Sequence, residues 1–157
     1  RFSASASAWF RSFQSFSFYP IFLRPRRSHS GFISIAQVSR SSLQHDSCPV
    51  LYLAHPDLFL FNGDEAVFDR EYRRLCREVK KRNIPLEINF LGLMEERWYP
   101  NEKFWKIAGE EGNTAVFGCD AHTPKAVWNP ETEQKALQLA AKYGLKVQET
   151  VPMPKTF

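Results

Sequence analysis

Thr114-Ala115-Val116-Phe117-Gly118-Cys119-Asp120-Ala121-His122-Thr123-Pro124 decides how this chain is to be read. Four residues with strand propensity run into a glycine, and a carboxylate and an imidazole follow at once. Extended backbone alternates its side chains, so Asp120 and His122 point the same way. One carboxylate oxygen and one imidazole nitrogen on the same side suit a hard or borderline divalent metal ion. D-x-H is a common pattern, however, and its weight depends on what the rest of the chain brings beside it.

Upstream the pattern repeats. Val50-Leu51-Tyr52-Leu53-Ala54 is a continuously apolar run, the kind buried on both faces of a parallel sheet, and it ends at His55-Pro56-Asp57. A helix is expected from about Glu65 to Arg82. Phe68, Tyr72, Leu75 and Val79 make its apolar stripe, and Arg70, Arg73, Arg74, Arg77, Glu78 and Lys81 make a solvated face. Pro85 opens a second strand, Leu86 to Leu91, which carries Glu87 and Asn89. Gly92 ends it, and a loop runs to Tyr99-Pro100.

Asn101 then caps a second helix with Glu102 in its first turn, the stripe being Phe104, Ile107 and Ala108 with Glu111 at its edge, and Gly112 fits the position after the helix. Downstream of the D-x-H, Asn129-Pro130-Glu131 starts a third helix with Leu137, Ala140 and Ala141 as its apolar face. Gly144 closes that helix, and Leu145 to Val147 is a fourth strand.

The expected fold class is therefore α/β, with four parallel strands and three helices in β-α-β-α-β-α-β order and right-handed crossovers. Such folds gather their sites at the carboxyl ends of the strands. His55 and Asp57 follow strand one, Glu87 and Asn89 lie in the end half of strand two, and Asp120 and His122 follow strand three. Three neighbouring strand ends thus bring carboxylates, imidazoles and an amide to one rim, which strengthens the ligand reading of Asp120 and His122.

Composition narrows the partners. With 157 residues, 43% of them hydrophobic, the chain can bury one ordinary core. No apolar run is long enough to span a membrane. The formal charge of +4 is uneven: residues 1–45 hold six Arg and no other charged side chain, and the remaining 112 residues carry 15 basic against 17 acidic groups. A net −2 body gives no support for nucleic-acid binding. Cys48, Cys76 and Cys119 form no C-x-x-C pair and no even framework, which points to a reducing compartment such as the cytoplasm. Cys119 beside Asp120 reads as a small residue filling a tight strand end.

Residues 1–47 differ from the body (48–150) and from a short Pro-containing tail (151–157). The Ser-, Phe- and Arg-rich leader keeps neither helical nor strand periodicity, and it is expected to be disordered or non-native. Its Arg- and Ser-rich, acid-poor character also weakly resembles an organelle transit peptide.

Taken together, Ala54-His55-Pro56-Asp57, Leu86-Glu87-Ile88-Asn89 with Gly92 and Tyr99-Pro100, and Gly118-Cys119-Asp120-Ala121-His122-Thr123-Pro124 resemble the later motifs of the PHP (polymerase and histidinol phosphatase) superfamily, most of all its histidinol-phosphatase branch. The resemblance covers residues 50–147. It implies the C-terminal half of a distorted seven-stranded, TIM-like βα barrel that holds divalent zinc, manganese or iron. By the same resemblance His55, Asp120 and His122 are the metal ligands, and Glu87 and Asn89 line the substrate side. Arg97, the one Arg in the loop after Gly92, is the candidate clamp for a substrate phosphate, with an ordinary surface Arg as the alternative. Asp57 would be a loop-fixing hydrogen-bond acceptor.

The implied reaction is hydrolysis of a phosphate monoester on a small metabolite by a metal-bound water. Nucleotides are the alternative substrates, and a half-domain docking onto a partner through open strand edges is the non-catalytic alternative. The family's early H-x-H motif, its later His and its cluster Glu have no counterpart here. His29 and His45 lie in the leader without that spacing. Weak metal binding and little activity are therefore expected of this chain.

Overall fold

A computed structural model describes residues 50–151, except the side chain of Lys125. The readings of the leader and of all but the first residue of the tail lie outside the described residues.

Three parallel strands form the sheet: β1 (Leu86–Asn89), β2 (Thr114–Gly118) and β3 (Lys146–Val147), side by side in chain order. Leu86 pairs with Ala115 and Asn89 with Gly118, and Thr114 pairs with Lys146. Helix α1 (Glu65–Lys81) precedes β1, α3 (Glu102–Glu110) links β1 to β2, and α4 (Pro130–Lys142) links β2 to β3. A short helix α2 (Phe90–Met94) follows β1 directly, and a 3-10 turn (Pro124–Ala126) precedes α4. Mixed α/β architecture with a parallel sheet is as expected.

The expected first strand shrinks to a single bridge, Leu53 to Leu86, on the free side of β1. Leu53 donates to the Pro85 carbonyl at 2.9 Å and accepts from the Glu87 amide at 3.0 Å. The rung before it would need an amide from Pro85, which has none. The rung after it would need the His55 amide, which is given to a carboxylate oxygen of Glu87 instead, at 2.8 Å. The ladder therefore stops after one step in both directions.

The helix signals are local and mostly hold. Asp64 caps α1 by accepting from the Ala66 amide, and Phe68, Tyr72, Leu75 and Val79 are buried along it. Asn101 accepts from the amides of Lys103 and Phe104 at the start of α3. Gly112, just past that helix, takes φ +70°, a conformation costly to any residue with a Cβ. Asn129 caps α4 with Pro130 in its first turn.

Two further expectations need correction. Strand two ends at Asn89, not Leu91, because the Asn89 side chain accepts the Gly92 amide at 3.0 Å and starts α2, so Gly92 lies inside a helix. In α4 the buried residues are Thr132, Ala136 and Ala140, whereas Leu137 is 48% exposed and Ala141 faces solvent. That helix carries small residues on both sides, so its sequence pattern fixes the inward face poorly.

The core lies between the sheet and the helices. Aromatic rings form a continuous row, Phe61-Phe68-Tyr72-Phe104-Trp105, with successive centroids 6.2, 4.6, 4.8 and 5.1 Å apart. Leu86, Ile88 and Ala115 meet this core from one face of the sheet. Strand alternation then sends Glu87, Asn89, Val116 and Gly118 to the opposite face. At the periphery, Arg73 and Arg77 of α1 hold Glu110 and Glu111 at the end of α3. No helix among the described residues is long and apolar enough to cross a membrane.

Candidate metal centre at the strand ends

The second face of the sheet carries the polar residues. Glu87 and Asn89 sit two residues apart on β1, both buried, at 4% and 1% exposure. One Glu87 oxygen accepts the His55 amide, and the other lies 3.4 Å from the Asn89 amide nitrogen. That same nitrogen is 3.4 Å from a carboxylate oxygen of Asp120. Glu87 and Asn89, expected to line the substrate side, thus form the wall beneath the rim and direct their polar atoms to protein partners. Burial raises the Glu87 pKa, His55 and Asn89 offset part of that rise, and the Asp120 charge adds to it.

Gly118 makes room for this arrangement. A Cβ at Gly118 would fall 1.7 Å from a Glu87 oxygen, so the carboxylate occupies space that every other residue type would fill.

The candidate ligands follow turns of unusual backbone. His55 has φ +28° and Asp120 φ +45°, both in the left-handed region that non-glycine residues enter at a cost. After His55 the chain turns, with the Leu58 amide donating to the His55 carbonyl at 3.1 Å. Asp57, 2% exposed, accepts from the Asn101 amide and from the Trp105 indole at 3.0 Å. It acts as the loop-fixing acceptor expected of it, tying the His55 turn to the start of α3. Burial pushes its carboxyl up to about 6 against the hydrogen bonds that favour the charged form.

His122 stands near Asp120, its Nε2 3.7 Å from the nearer carboxylate oxygen, and its side chain is 76% exposed. Arg97 donates to the Tyr99 hydroxyl at 2.7 Å and pairs with Glu95, while its side chain stays 37% exposed. Tyr99 in turn is buried and feels the Asp120 charge, which helps to raise its phenol pKa after burial itself. The Tyr99 ring and carbonyl fit because Gly92 has no Cβ to meet them. Arg97 is thus held by Tyr99 and Glu95 in the loop after α2.

Tyr52 was not singled out by sequence, yet burial raises its phenol pKa and the charges of Glu87, Cys119 and Asp120 add to the rise. Its position in an apolar run gave no sign of this. Cys76, by contrast, is a core side chain whose thiol burial pushes up to about 12, so it is no nucleophile.

The fit to a divalent ion is partial. A carboxylate oxygen and an imidazole nitrogen 3.7 Å apart can share one borderline ion with bonds of about 2.0–2.2 Å. His55 is not gathered with them: among the described residues no three His, Cys, Asp or Glu side chains group closely enough to hold a metal. The pair fits; a closed three-ligand site does not.

Compared with known proteins, the chain matches no family model, no curated protein and no solved structure.

Proposed function

We propose that the strand ends carry part of a metal-dependent phosphate-monoester hydrolase site of the PHP kind, resembling histidinol phosphatase and incomplete in this chain. The observation that carries this reading is the convergence of the His55 backbone amide, Glu87, Asn89 and Asp120 beside the carboxyl ends of β1 and β2, with left-handed backbone at both His55 and Asp120. Asp120 and His122 hold a divalent ion (zinc, manganese or iron) weakly, and His55 supplies the third ligand only after rearranging. Arg97, held beside Tyr99 in the loop after α2, is the guanidinium offered to the phosphate of a small metabolite.

Because the ligand set is incomplete among the described residues, turnover stays close to background. Equilibrium dialysis of histidinol phosphate against the full chain tests this. The expected result is retention that requires Mn²⁺ and is lost in Asp120→Asn, with hydrolysis near the uncatalysed rate. Retention indifferent to that substitution, or none, overturns the reading. Turnover at ordinary phosphatase rates overturns the incompleteness.

One observation favours a non-catalytic alternative. Among the described residues Leu53 makes a single bridge to β1 and β3 is two residues long, short edges that a partner carrying further strands would extend.

A further inference from the structure

We infer that Glu87 is a positioning residue: its buried carboxylate brackets the His55 turn and, with Asn89, the Asp120 turn, and it does not contact substrate or metal. The inference rests on the proposed function only in taking His55 and Asp120 as site residues.

Four observations carry it. Glu87 is 4% exposed, so almost none of its surface is open to solvent or to a ligand arriving from it. Its closest polar partner is backbone, the His55 amide at 2.8 Å, and that bond replaces the next rung of the parallel ladder. The chain can therefore leave the sheet at Leu53 and enter the left-handed conformation of His55, a departure that would otherwise leave a donor without its ladder acceptor. Gly118, paired in register with Asn89, supplies the empty volume that lets the carboxylate lie across to the neighbouring strand. Finally, Asn89 spans Glu87 and Asp120 through a single nitrogen, 3.4 Å from each, while its oxygen is fixed by the Gly92 amide. Two separate strand ends are thus referred to one buried side chain.

Reach and charge separate this role from the alternatives. Glu87→Asp keeps the charge but withdraws the carboxylate by one methylene. Glu87→Gln keeps the reach and an acceptor oxygen but removes the charge. If Glu87 positions the turn, Glu87→Asp speeds hydrogen exchange of the His55 amide by about tenfold, and Glu87→Gln leaves it near wild type. Amides of Leu75 and Val79 in α1 report in the same spectra that the fold is retained.

Titration of the full chain with Co²⁺ alone, followed by its visible absorption, should rank affinities the same way, with Glu87→Asp about tenfold weaker than Glu87→Gln. The reverse order, with the charge-keeping variant intact and the reach-keeping one impaired, overturns the inference and marks Glu87 as a direct ligand. Unchanged His55 exchange in both variants also overturns it. If wild type takes up no Co²⁺, the proposed function fails, and the His55 amide still decides the bracket.

Discussion

At the residue scale, the two buried acids next to the candidate site do different work. Asp57 fastens a turn and Glu87 fills the hole left by Gly118, and neither presents itself to solvent. Asp57 makes the clearer prediction about pH. Its folded carboxyl titrates at about 6, above the ordinary 3.8, so the folded state binds the proton more tightly than the unfolded one. The group therefore favours folding most below its ordinary pKa, and that benefit is lost as pH rises through 6. The full loss is about 3 kcal/mol at neutral pH. Asp57→Asn keeps an acceptor for Trp105 and Asn101 but cannot ionise. Denaturant melts should show the variant gaining on wild type by roughly that amount between pH 4 and pH 7. A difference that is flat with pH would mean Asp57 is already solvated in the fold.

At the scale of elements, signals confined to one turn of chain were legible and signals that cross strands were not. Asn101 and Asn129 cap where a short polar side chain precedes an apolar stripe, because the donors they satisfy lie two and three residues away. The stripe of α1 was legible because Phe68, Tyr72, Leu75 and Val79 are large and its other face is charged. Trp105 escaped notice: it sits beside the stripe, and its indole finds Asp57 only in three dimensions. Strand one was over-read because its end is set by two outside residues, Pro85 without an amide and Glu87 with a competing acceptor. The cap of α3 gives a direct check. That helix presents Phe104 and Trp105 to the core, so its start is coupled to overall stability. Asn101→Ala should lower unfolding free energy by about 1 kcal/mol, read as a lower denaturant midpoint at unchanged slope.

At the scale of the whole molecule, sequential parallel strands send their polar residues to one end of one face and their apolar residues to the helices. This division was visible in the sequence as carboxylates, imidazoles and an amide recurring after apolar runs. The depth of each group was not: Glu87 and Asn89 are walls, Asp120 is half-buried, and His122 projects into solvent. Depth depends on which neighbour lacks a side chain, and Gly118 was read only as the end of a strand.

The proposed function stands or falls on a divalent ion bound between Asp120 and His122. The most direct test is titration of the full chain with Mn²⁺, reading the free-ion signal by electron paramagnetic resonance. The account predicts uptake of one ion, far weaker than the ~10–16 kcal/mol of a closed structural zinc site, and lost in both Asp120→Asn and His122→Ala. A free-ion signal that never falls below the protein-free control, or uptake that survives both substitutions, would contradict it.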